Sequence, residues 1–185
     1  LGLADFNTVM RSLFHKVRSP NYDIRLQEAI WRINSRLVVT TNYDSALEWA
    51  NGDATPLLNH QRHDLGNILD FQGMPHPRVW HIHGHIDDVG SLVLAPAQFD
   101  QFYATDRNLR ADLTAAKSQL EALTGNFPFL FVGFGFNDEY VLELLANVLD
   151  KFNAGTRKSY ALIRRGQQLG CDIWGNYNTH VIEYA

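Results

Sequence analysis

Three histidines stand at every second position in the stretch RVWHIHGHIDD: His81, His83 and His85, with Asp87 and Asp88 close behind. An imidazole can bind a metal ion, move a proton near neutral pH, or sit hydrogen-bonded in a core. On a strand, two-residue spacing turns alternate side chains to one face, as a metal site would require. Gly84 interrupts the strand pattern, so His85 is expected to point elsewhere. Three readings stay open from the residues alone: a metal-dependent hydrolase using His81, His83 and Asp87 or Asp88, a single catalytic histidine with neighbours, or a structural cluster.

Two further segments carry groups suited to a ligand. In TTNYD, Thr40, Thr41, Asn42, Tyr43 and Asp44 follow an apolar run and precede a helix-compatible stretch. The Asn42 amide can both donate to and accept from a ribose hydroxyl or a water. Helix capping is the alternative account of these polar residues. In GFGFND, Gly133 and Gly135 lie between an apolar strand and a helix start, where backbone N–H groups favour a phosphate. The dinucleotide fingerprint would place a further glycine at position 138, where Asp138 stands, so a purely structural turn is the alternative.

The elements that position these segments follow from periodicity. Helical spacing is expected over 6–17, 23–34, 96–104, 108–125 and 137–152, the last capped by Asn137. Apolar runs predict strands at 37–41 (LVVTT), 78–83 (RVWHIH), 91–95 (SLVLA), 127–133 (FPFLFVG, read as central and covered on both faces), 159–164 (SYALIR) and 180–184 (HVIEY). Residues 51–77 are polar and rich in Asn, His, Gly and Pro, and are expected to run over the surface as a helical or irregular insertion. Strands alternating with helices predict an α/β fold, a Rossmann-like, mainly parallel sheet with helices on both faces. In such sheets ligands bind beyond the carboxyl ends of strands, which selects TTNYD, HGHIDD and GFGFND together.

Composition bounds the rest. The 185 residues suit one domain, and Leu1 as first residue suggests part of a longer chain. A net charge of −4 argues against binding nucleic acid through its backbone. The single cysteine, Cys171, excludes a disulfide framework and a cysteine zinc cluster. No apolar run is long enough to span a membrane and no signal pattern opens the chain, so a cytoplasmic location is expected.

Taken together, TTNYD, the His83–Gly84 pair, FLFVGFGFND, YALIR and the terminal VIEY resemble a SIR2-like domain of the sirtuin fold, over residues 37–184. The resemblance is strongest to the branch containing the NADases of bacterial phage-defence systems. Sirtuin deacylases carry a four-cysteine zinc module, which one cysteine cannot supply. The family's Gly-Ala-Gly loop is not found in these residues and is expected upstream.

The resemblance implies NAD+ as substrate, no metal, and hydrolysis to nicotinamide and ADP-ribose. Asn42 would hold a ribose hydroxyl or the attacking water and His83 would act as general base. Thr41, Tyr43, Asp44, Gly84, Gly133, Phe134, Gly135 and Asp138 would line the nucleotide site. Nicotinamide leaves as a neutral group, so no general acid is needed, and the oxocarbenium-like ribose carbon needs positioning and a nearby nucleophile. It also implies control by other domains of a longer chain and by a homo-oligomer or defence-complex partner. A non-catalytic module that binds NAD or ADP-ribose, or serves assembly, is the alternative.

Overall fold

The computed structural model describes residues 8–9, 12, 22–94, 97–99, 111–136, 138–152, 155–167, 169 and 172–185. Most of the helix expected over 6–17, the starts of those expected at 96 and 108, Asn137 and Cys171 lie outside these residues. The described residues form two compact units, the first reaching Ala116 and the second running from Lys117 to Ala185.

The first unit is built on a parallel sheet in the order β1-β3-β2, with β1 at Leu37–Thr40, β2 at Thr55–Leu58 and β3 at Arg78–His81. Helix α1 (Arg25–Trp31) brings Ile30 and Trp31, and α2 (Ala46–Ala50) brings Leu47, against Val38, Ala54 and Val79. Pleating turns the next residue, Trp80, to the opposite face, where it is fully buried. Its indole N–H donates to Asn59 Oδ1 at 3.0 Å, and Asn59 Nδ2 donates to the Ile82 carbonyl at 2.8 Å, so the buried polar groups are paired.

Residues 51–77 depart from expectation. Rather than an irregular excursion, they supply β2, a short helix α3 (Arg62–Gly66) and a 3-10 segment at Ile68–Gly73. Leu57 and Ile68 are fully buried. Pro56 hid the strand from a sequence reading, yet it is tolerated because β2 is the edge of its sheet. The described part of SLVLA, 91–94, conversely forms no strand: a 3-10 turn at Val89–Ser91 leads into irregular backbone at 92–94.

Helix α4 (Ala111–Asn126) leads into the second unit. Its sheet has the order β4-β5-β6, with β4 at Leu130–Val132, β5 at Ser159–Arg164 and β6 at Thr179–Tyr184. Both pairings are parallel. Within this sheet β4 is an edge and Leu130 is exposed, so it is not the central strand, covered on both faces, that its apolar run suggested. Phe136, Ala161, Ile163 and Ile173 form the core, with Phe131, Phe134 and Leu142 packed against it. Helices α5 (Glu139–Lys151) and α6 (Ile173–Tyr177) accompany the strands. The architecture is the α/β, Rossmann-like class expected. Among the described residues no helix is long and apolar enough to cross a membrane.

Candidate functional site

Parallel pairing sets Thr40 level with His81 at the carboxyl edge of the first sheet. The chain leaving β1 and the chain leaving β3 therefore emerge side by side. Ile82 N–H donates to the Thr40 carbonyl at 3.1 Å and Ile86 N–H to the Tyr43 carbonyl at 2.9 Å, lacing the two loops together. Thr41, Asn42, Tyr43, Asp44, His83 and Gly84 all lie in this laced region.

Asn42 is exposed, and its backbone N–H donates to Thr40 Oγ1 at 3.1 Å. Tyr43 is tied down, its hydroxyl donating to the Val93 carbonyl at 2.8 Å. Asp44 Oδ1 accepts the Ala46 N–H at 3.0 Å in an i to i+2 turn, while Ser45 is the N-cap of α2. Gly84 has φ +92°, a conformation glycine adopts freely, and closes a turn in which its N–H donates to the His81 carbonyl at 3.1 Å.

The histidines separate. Because β3 ends at His81, strand alternation does not carry on to His83 and His85. His83 is 3% exposed and meets Phe99 edge-on, with ring centroids 4.9 Å apart. His81 and His85 instead meet each other, centroids 4.6 Å apart. His81 Nδ1 lies 2.9 Å from the Asn42 carbonyl and Nε2 lies 2.8 Å from Glu48 Oε1. His85 Nδ1 accepts the Asp87 N–H at 3.2 Å, so its Nε2 carries the proton and donates to Ser45 Oγ at 3.0 Å. Among the described residues, the group able to hold a metal ion is Glu48, His81 and His85, with ligand atoms within 4.8 Å of one another. It differs from the set His81, His83 and Asp87 or Asp88 considered from sequence.

Burial, and after it the neighbouring His81, push the His85 pKa below its ordinary value near 6.5. The fold thus prefers neutral His85. Its contribution to stability is complete above about pH 6.5 and is lost as pH falls through the lowered pKa, where the unfolded chain binds the extra proton. Urea unfolding midpoints measured from about pH 8 down to about pH 5 should show a plateau and then a fall. His85→Asn should make that fall shallower.

The other expected site residues lie in the second unit. Gly133 has φ +67° and Phe136 φ +50° on either side of the turn. The Phe134 ring packs against Phe131 and Phe136, with centroids 5.7 and 4.9 Å away, so its side chain anchors the turn in the core of the second unit. Gly135 is exposed. Asp138, not Asn137, is the N-cap of α5: Oδ1 accepts from Tyr140 N at 3.1 Å and Val141 N at 3.2 Å. Asp138→Ala should cost about 1 kcal/mol in chemical denaturation.

Residues 36–182 match the SIR2-like domain family. The chain is a SIR2-like domain. No curated protein matches it. Membership places it in a family that includes NAD-using enzymes. Sequence reasoning passed over one residue that the fold brings to the histidines, Glu48, a carboxylate in a five-residue helix whose partner His81 is 33 positions away.

Proposed function

We propose that this SIR2-like domain hydrolyses NAD+ to nicotinamide and ADP-ribose, as a regulated effector of bacterial anti-phage defence acting within a longer chain. The observation that carries the reading is the lacing of the Asn42 loop to the His83–Gly84 turn at the carboxyl edge of a parallel sheet. That edge is where an α/β sheet receives its ligand. Asn42 holds a ribose hydroxyl or the water, and His83 takes the proton of the attacking water. Developing positive charge at the ribose carbon requires no acid on the nicotinamide side. The backbone of Gly133, Phe134 and Gly135, with Asp138, is assigned to the nucleotide. No resident metal takes part.

A second reading, a module that binds NAD or ADP-ribose without turnover, is favoured by the burial of His83 behind Phe99. The two readings separate in one experiment. Calorimetric titration of the longest natural form of the chain with NAD+ and with ADP-ribose is run beside chromatography of released nicotinamide. Nicotinamide accumulating over many turnovers supports the hydrolase, and saturable binding without release supports the module.

A further inference from the structure

The contact between His81 and Glu48 contains a proton puzzle. His81 Nδ1 faces a backbone carbonyl, which only accepts, so the ring proton is on Nδ1. That leaves the Nε2 lone pair 2.8 Å from a carboxyl oxygen. Two lone pairs do not approach so closely in a site where the His81 side chain is 0% exposed and that of Glu48 12%. A cation must lie between them. Two ligands of a tetrahedral metal ion stand about 3.4 Å apart, farther than the observed contact, which is the length of a charge-assisted hydrogen bond. Both ring nitrogens of His85, the third candidate ligand, already have hydrogen-bond partners.

We propose that Glu48 and His81 share one buried proton and act as a positioning pair for Asn42. The chain of contacts runs from α2 through the imidazole to the Asn42 carbonyl, so the main chain that carries the Asn42 amide is held from beneath. His85 secures the far end of the same loop through Ser45. The two histidines beside His83 are thus parts of a clamp on residues 42–45, with Glu48 as its anchor. The inference rests on the NAD-cleavage reading for what the clamp serves, and on geometry alone for the clamp itself.

The test uses the longest natural form of the chain, with Glu48→Ala and Glu48→Gln. A glutamine amide can donate one hydrogen bond to neutral Nε2 and keep the ring in place, whereas alanine cannot. In Glu48→Ala, amide exchange at Asn42, Tyr43, Asp44 and Ser45 should accelerate more than in β5. Nicotinamide release should lose about 10²-fold in kcat with KM changed only a few-fold, the pattern of a misplaced group. Glu48→Gln should recover most of both. Nitrogen-15 NMR of the wild-type ring should show His81 Nδ1 protonated, a readout that needs neither activity nor a folded variant. Unprotonated Nδ1, loop exchange unchanged in Glu48→Ala, glutamine no better than alanine, or one equivalent of tightly bound metal in the purified protein would each overturn the proposal. A wild-type chain that releases no nicotinamide would count against the NAD reading, while the NMR and exchange results would still decide the clamp.

Discussion

Gly84→Ala should be among the most destabilising single substitutions in the first unit. A Cβ at this position would lie 2.3 Å from the Ser91 carbonyl oxygen, 2.5 Å from the Ser91 carbonyl carbon and 2.7 Å from Leu92 Cα. All three are backbone atoms, so no side-chain rotation relieves the clash. The positive φ adds about 1–2 kcal/mol for any residue with a Cβ, and overpacking about 1–3 kcal/mol more. Against a typical total of about 5–15 kcal/mol, that removes a large share of stability. Gly133 is the control. It too has positive φ, but a Cβ there meets nothing within 4 Å, so Gly133→Ala should cost only the conformational part, about 1–2 kcal/mol. Urea denaturation of both variants checks the contrast, and equal losses would contradict it.

His83→Ala should lower NAD turnover about 10²–10⁴-fold, the usual worth of a general base. The loss belongs in kcat, because the imidazole acts on the attacking water as the transition state forms. Removing a ring packed on Phe99 also opens a void, so the variant's melting temperature must be read beside its rate. His83→Gln, which fills more of the space but is no base near neutral pH, should be as slow as alanine while melting closer to wild type. A glutamine variant with near-normal turnover would remove His83 from the chemistry.

The parallel strands with continuous apolar runs, such as β5 and β3, were legible because such runs have few other stable uses. The Asn42 loop and the His83–Gly84 turn were legible because strand ends in α/β folds are where polar residues and glycines carry meaning. β2 was not, since Pro56 and flanking Asn, His and Asp residues imitate a loop, and only its edge position makes the proline harmless. SLVLA misled in the other direction: Leu92 and Val93 are buried like strand residues, but the backbone at Ser91 and Leu92 runs close against Gly84 out of a 3-10 turn instead of pairing in a sheet. Glu48 could not be read at all. Its meaning lies in a contact with His81 made across the fold, and a lone acidic residue in a helix looks the same whether solvated or buried. The histidine triplet shows the limit of spacing: a strand that stops two residues early redistributes three side chains that periodicity placed together.

The proposed reaction cleaves the nicotinamide–ribose bond with water as acceptor. It is tested most directly by incubating the longest natural form of the chain with NAD+ in oxygen-18 water and following both products by mass spectrometry. Equal amounts of nicotinamide and of ADP-ribose carrying one heavy oxygen, both lost in Asn42→Ala and His83→Ala, are the predicted result. NAD+ recovered intact, or ADP-ribose formed at undiminished rate by both variants, would contradict the account.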